Sequence, residues 1–332
     1  MSSLGLLQLG LLAPLSFAVV SAVLIAAFYP FIRRALARSE PVRRTLVIGA
    51  LCALPALAAV GLTALCFLPS ILGNVWPGLD HCPQHGDGHP HFCWMHVPAS
   101  SGSHLGWLVV VSVSIFLFAR LTRHLARLVR SRRLLRQLAR SAVFDRVRRV
   151  WRVETNVPLA VTTGVLQQRT FISRGLCDSL APRLVEAAIV HEHVHQKRRD
   201  PLVKLMASTL SLLHFPSTRR QMLTDLELAT EQACDEETAT RLGDRLRVAQ
   251  ALLGLERLLQ QTGQQPIGEV GVSFGGSSVV PRVESLLADP VIAATRSRVW
   301  RWLVSALLAA VLLALAEPIH HLTETLLGLL VR

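Results

Sequence analysis

Residues 182–195 read Pro-Arg-Leu-Val-Glu-Ala-Ala-Ile-Val-His-Glu-His-Val-His. Ala181-Pro182 opens a helix, because the fixed φ of proline suits the first helical position and its missing N–H is not needed there. The turns that follow are apolar through Ile189 and Val190, as a buried helix requires. His191 and His195 then stand four residues apart on one face, so two imidazoles can point at one metal ion. Glu192 lies about 100° round the same turn, where it can serve a water at the metal without displacing it. Two neutral nitrogen ligands and a carboxylate base form the set that a zinc hydrolase needs. His193 falls about 200° from His191, on the far side, and is read as structural.

A second acidic element follows at Leu226-Glu227-Leu228-Ala229-Thr230-Glu231-Gln232-Ala233-Cys234-Asp235. Glu227, Glu231 and Asp235 repeat every four residues and share one stripe of a helix, where like charges repel. A cation would relieve that repulsion. Glu231 is the simplest third zinc ligand. Asp235, one turn on, would accept from the free N–H of a ligand histidine. Glu227 is the runner-up ligand or a solvated acid, and Cys234 belongs to the core or lies near the site.

Taken together, His-Glu-x-x-His, then Lys-Arg-Arg-Asp-Pro-Leu at 197–202, then Glu-x-x-x-Asp at 231–235 resemble the membrane-embedded peptidases of the antibiotic sensor-transducer family. These are the beta-lactam sensors, the methicillin-resistance regulators and their relatives. Heat-shock-type and CaaX-prenyl-type membrane peptidases share the Glu-x-x-x-Asp logic more distantly. The resemblance extends over roughly 105–300, through Phe-Ile-Ser-Arg-Gly-Leu (171–176) and Pro-Arg-Val-Glu-Ser-Leu-Leu (281–287). It implies a cytoplasmic gluzincin-like domain that binds Zn²⁺ through His191, His195 and Glu231, with Glu192 as catalytic base. It also implies signalling by cleavage of a cytoplasmic protein, a transcriptional repressor being the type partner. Well-studied members carry an outer antibiotic-binding domain after the fourth span. Here Glu317–Arg332 follow, so beta-lactam sensing by that route is not expected.

Around the motif the composition is divided. The 332 residues are 51% hydrophobic, yet carry 35 Lys+Arg against 22 Asp+Glu, a formal charge of +13. Mean hydropathy is +0.42. A membrane protein keeps these two properties in separate stretches, which argues against a soluble, disordered or collagen-like chain. Four stretches are apolar enough to span: Leu4–Phe28, Leu46–Leu72, Leu105–Leu121 and Val299–Ala316. The first has no basic start and is too long for a signal peptide, so it is expected to be retained. Arg33, Arg34, Arg38, Arg43 and Arg44 lie between spans one and two, and 120–152 is densely basic, whereas 73–104 holds no Lys or Arg. The positive-inside rule therefore puts the first loop and 122–298 in the cytoplasm and both termini outward, in a plasma (inner) membrane. The expected architecture is a mainly α integral membrane protein of four transmembrane helices. A zincin-like α+β metallopeptidase domain sits between helices three and four. Its divisions are 1–121, 122–298 and 299–332.

Within the middle division, Leu121, Leu125, Leu128, Leu134, Leu135 and Leu138 keep helical spacing. That predicts a basic amphipathic helix running from span three to Trp151, resting on anionic lipid rather than on nucleic acid. Leu159–Thr163 and Thr170–Ser173 read as a small β-hairpin or sheet edge, and the edge near Phe171–Ser173 would align an extended substrate. The apolar run Leu202–Leu213 is too short to span and is read as a helix under the metal site or at the membrane. Residues 263–281, rich in Gly, Ser and Gln, read as a flexible linker and a candidate self-cleavage site.

The outward loop gathers His81, His85, His89, His91 and His96 with Cys82 and Cys93. Its oxidising side permits a Cys82–Cys93 disulfide, and the histidines suit Zn, Cu or Ni. His320 and His321 are expected on the same side and could join them. The leading function is a zinc endopeptidase that cleaves a cytoplasmic regulator, or itself, when an outer signal such as metal arrives. A quality-control protease and a non-catalytic metal-binding receptor or transporter are the alternatives. Transport is disfavoured by the near absence of ionisable residues inside the spans. Lipid bilayer, protein substrate and a second copy of the chain are the expected partners; nucleic acid is not.

Overall fold

A computed structural model describes residues 4–75, 103–165, 167–262, 272–273, 279–288 and 316–331. Helices α1 (Leu4–Leu36), α2 (Pro41–Val75) and α3 (His104–Arg140) come first. Their segments Leu6–Leu36, Pro41–Leu68 and His104–Gln137 are long and apolar enough to cross a membrane. The fourth expected span at 299–316 and the histidine-rich loop, with His81, His85, His89, His91, His96, Cys82 and Cys93, lie outside the described residues.

The three helices are tied at both ends. At one end the Gln8 amide bonds Ser103 twice, donating to its carbonyl (2.8 Å) and accepting from its N–H (3.0 Å). The final helix α10 (Ala316–Val331) packs at this end, with Leu327 among Leu9, Leu12, Ala13, Cys66 and Val110. The expected short tail is therefore a docked helix. His320 is buried there, and its Nδ1 lies 2.7 Å from the Cys66 carbonyl, which makes it a helix–helix tie.

At the other end, Ile25, Tyr29, Leu36, Ile48 and Cys52 of α1 and α2 pack against Ala207, Met222 and Leu226. The last three belong to α6 (Asp200–Leu210) and α7 (Pro216–Leu242). Asp225 accepts from the Tyr29 hydroxyl (2.9 Å) and pairs with Arg33 (2.7 Å), while Arg44 donates to Gln232. The non-membrane part is thus seated on the arginine-bearing ends of α1 and α2. The run Leu202–Leu213 forms α6 plus a 3-10 turn at Ser211–Leu213, tucked between α2 and α7.

The basic amphipathic helix ends earlier than the leucine spacing predicts. α3 stops at Arg140, and a hairpin follows: β1 (Ala142–Asp145) against β2 (Val150–Val153), antiparallel. Asp145 makes the turn by accepting from the N–H groups of Val147 (2.9 Å) and Arg148 (3.1 Å), a local bond that competes with helix. β3 (Ala160–Thr163) and β4 (Arg169–Ser173) form the expected antiparallel pair, turning at Gly164, whose φ of +100° suits glycine.

The sheet order is β1-β2-β4-β3-β5, with β2 and β4 parallel. This corrects the edge assignment, because Phe171–Ser173 lies inside the sheet. The outer edge of β3 is taken by β5 (Val272–Ser273). Residues 263–281 are accordingly not linker throughout. Val272–Ser273 is strand, and Val279–Pro281 already belongs to α9 (Val279–Leu287), where Val279 is buried.

One face of the sheet covers α5 (Pro182–Arg198), itself backed by α8 (Arg245–Thr262), on which α9 packs. Val150, Ala160, Ile172, Val185, Ala188, Leu252 and Leu286 close that core. The short α4 (Arg174–Ser179) joins sheet to helix. Thr162 of β3 donates to the Glu192 carbonyl (2.9 Å), fixing the sheet against the middle of the metal-bearing helix.

Candidate metal centre

The middle of α5, from Ala187 to His195, is largely buried, and His191, Glu192 and His195 have no exposed surface. The two imidazoles meet edge to face, with Nε2 atoms 3.0 Å apart. α7 crosses beside them and brings in Glu231, whose Oε2 lies 3.5 Å from His191 Nε2 and 3.6 Å from His195 Nε2. A tetrahedral zinc with ligands at 2.0–2.1 Å separates its donors by ~3.3 Å. The three donors therefore fit such an ion by chemistry and by spacing.

Each histidine is oriented from behind. Asp235 Oδ1 lies 3.1 Å from His191 Nδ1, where the sequence places a carboxylate to hold a ligand histidine. His195 has its own partner, unforeseen in the sequence: Asp200 Oδ2 at 2.7 Å from Nδ1. The chain reaches this arrangement by leaving α5 at Arg199 in the left-handed region, φ +56°. That turn costs a non-glycine residue about 1 kcal/mol. It starts α6 at once, with Asp200 at its head and Pro201 in its first turn.

Three cations and a thiol complete the cluster. Arg282 of α9 is fully buried and grips Asp235 with two bonds of 2.7 Å, while its Nη1 lies 3.3 Å from Glu231 Oε2. Lys204 of α6 lies 3.3 Å from Glu231 Oε1 and 3.7 Å from Glu227, a half-exposed acid further from the histidines. Arg198 reaches Asp200 at 3.3 Å. Cys234 donates to the His191 carbonyl at 3.2 Å, and its sulfur lies within 4.8 Å of ring nitrogens of both histidines. The Pro-Arg at 281–282 was visible in the sequence only as part of the family resemblance.

These neighbours set the charges. Burial alone would raise the Glu231 carboxyl, but His195, Lys204 and Arg282 hold it well below the usual range. Glu192 behaves oppositely: burial raises its pKa, and His195 and His191 only partly offset this. Neither of its carboxylate oxygens has a hydrogen-bond partner among the described residues. A buried, unbonded carboxylate with a raised pKa is a poor structural group and a suitable proton acceptor. His193 lies on the other side of α5, with Nε2 3.3 Å from the Arg149 carbonyl.

Residues 100–286 match the family described as BlaR1 peptidase M56. The chain belongs to that family. Part of this M56 chain is also similar to Protease HtpX homolog 2 of Methanosarcina mazei, 42% identical over 65 residues. Those residues are 19% of the chain and 22% of the relative, so the chain matches about a fifth of the curated relative's length. No solved structure matches it. The peptidase family match, three membrane-length helices and a buried cluster of metal-type donors thus meet in this M56 chain.

Proposed function

We propose that the chain is a zinc-dependent endopeptidase, seated in the plasma membrane, that cleaves a cytoplasmic regulatory protein or itself in response to a signal from the other side. The observation that carries the reading is the convergence of His191, His195 and Glu231 beside the unbonded carboxylate of Glu192. His191, His195 and Glu231 would hold the ion, and zinc when bound acidifies water and polarises a carbonyl. Glu192 accepts the proton of the attacking water and delivers it to the leaving amine. Asp200 and Asp235 keep both ring Nε2 atoms turned toward the ion. An extended substrate would lie along the outer edge of β3, next to α5. Val272–Ser273 already lies antiparallel there, which supports the chain itself as a substrate. The histidine-rich outer loop is the proposed detector, and a transcriptional repressor is the proposed partner by family.

Glu192→Gln tests the mechanism: zinc content unchanged, cleavage abolished, and substrate trapped. Cleavage undiminished by the change would refute it. The proximity of Cys234 favours one second reading, a His/His/Cys site. Cys234→Ala should keep zinc and Glu231→Gln should lose it; the reverse pattern would assign the third ligand to sulfur.

A further inference from the structure

A cavity of about 510 Å³ lies outside the metal cluster, between α3, α6 and α7. Its walls are assembled by helical spacing. On α3, Arg120, His124 and Arg127 follow at intervals of four and three and so line one face. α6 contributes Lys204, and α7 contributes Arg219 and Arg220. Glu227 is the acid among the lining residues, so five arginine and lysine side chains face one carboxylate. Arg120 donates to the His214 carbonyl (2.9 Å) and Arg219 to the Ser208 carbonyl (3.0 Å). Both acceptors are neutral carbonyls, and these bonds position the guanidiniums. Leu128, Leu223 and Leu226 supply an apolar part of the wall.

The height of the cavity decides what would fill it. Arg120 stands where the apolar stretch of α3 ends. On α7 the lining residues flank Asp225, which is bonded to Tyr29 and Arg33 at the end of α1. The cavity therefore sits at the membrane surface on the peptidase side. A cationic pocket with an apolar wall at that level is complementary to lipid. A soluble polyanion would have no use for the leucines.

We propose that this cavity binds the phosphate-bearing head group of an anionic membrane lipid. Its arginines take the phosphate, and Leu128, Leu223 and Leu226 take the first carbons of the chains. The site is in touch with the metal cluster through Lys204, whose ammonium lines the cavity and reaches Glu231.

The test is native mass spectrometry of the full chain released from detergent micelles, titrated with phosphatidylglycerol, phosphatidylcholine or inorganic phosphate. Wild type should retain one phosphatidylglycerol at concentrations where phosphatidylcholine and inorganic phosphate are lost. Arg127 and Arg220 are the exposed arginines of the lining. The double variant R127Q/R220Q should bind phosphatidylglycerol about thirtyfold more weakly, at about 1 kcal/mol per basic residue. R132Q/R133Q removes the same charge from exposed α3 residues outside the cavity and should bind within about twofold of wild type. Equal losses in the two double variants would replace the site by diffuse surface charge. Equal retention of phosphatidylcholine, or tight binding of inorganic phosphate without phosphatidylglycerol, would overturn the lipid assignment. None of these outcomes depends on peptidase activity.

Discussion

With no cation between them, His191 and His195 hold protons more firmly than an ordinary histidine. Burial disfavours each charged ring, but the carboxylates of Asp235 and Glu231 around His191, and of Glu231 and Asp200 around His195, outweigh it. The pair therefore holds a shared proton to well above the usual 6.5. Zinc accepts only the neutral ring, so binding must expel that proton. Affinity should accordingly rise as pH climbs toward the raised pKa and fall in acid. Calorimetry at pH 7 in buffers of different ionisation enthalpy should show about one proton released per zinc, because Nε2 atoms 3.0 Å apart share a single hydrogen. Release of none would mean that the rings are already neutral. At the same scale, Asp200→Asn and Asp235→Asn should each weaken zinc binding by about 10–100-fold, measured by competition with a chelating dye. The sequence points to Asp235 because it shares a stripe with Glu231. Asp200 escapes such reading, because it lies beyond the end of α5 and meets His195 only through the left-handed turn at Arg199.

What helices and strands contribute divides along the same line between local and long-range. α5 and α7 are legible because each carries its site residues, His191 and His195 on one and Glu231 and Asp235 on the other, at four-residue spacing on its own length. α9 is not, since the importance of Arg282 rests on carboxylates of α7, 47 residues away in the case of Asp235. The leucine spacing of α3 is equally misleading past Arg140, where the Asp145 turn takes over. The position of β4 depends on its parallel pairing with β2, which no alternation pattern encodes. Burial alone would make Arg282 easier to discharge, but Asp235 and Glu231 reverse that, and it is firmly cationic. Removing it leaves two buried acids without their best partner, which costs about 3–5 kcal/mol when one member of a buried pair is lost. Arg282→Leu should therefore lower the melting temperature of the zinc-free protein sharply. Arg282→Lys should recover part of the loss, because a lysine cannot repeat the two-bond grip on Asp235. A melting temperature unchanged in the leucine variant would show that α9 is held by its apolar contacts alone.

For the whole molecule, the arginines that report orientation also fasten the domain to the membrane helices. Arg33 pairs with Asp225, Arg44 with Gln232, and Arg120 with the carbonyl of His214. A charge excess that would suggest nucleic acid in a soluble protein is thus spent at one end of three helices. The other end, where Gln8 meets Ser103 and His320 meets Cys66, is joined through neutral groups. Moving the arginine-bearing end across a membrane would carry Arg33, Arg34, Arg38, Arg43 and Arg44 through an apolar layer, whereas residues 73–104 offer no Lys or Arg to resist transfer. The molecule should therefore sit with the peptidase domain inside. In a background with Cys82 and Cys93 replaced, a cysteine at Gly88 should react with a membrane-impermeant maleimide on intact cells. A cysteine at Arg132 should react only after the membrane is opened. Labelling of the Arg132 position from outside would invert the topology. It would also put the metal cluster on the side where no cytoplasmic regulator could reach it.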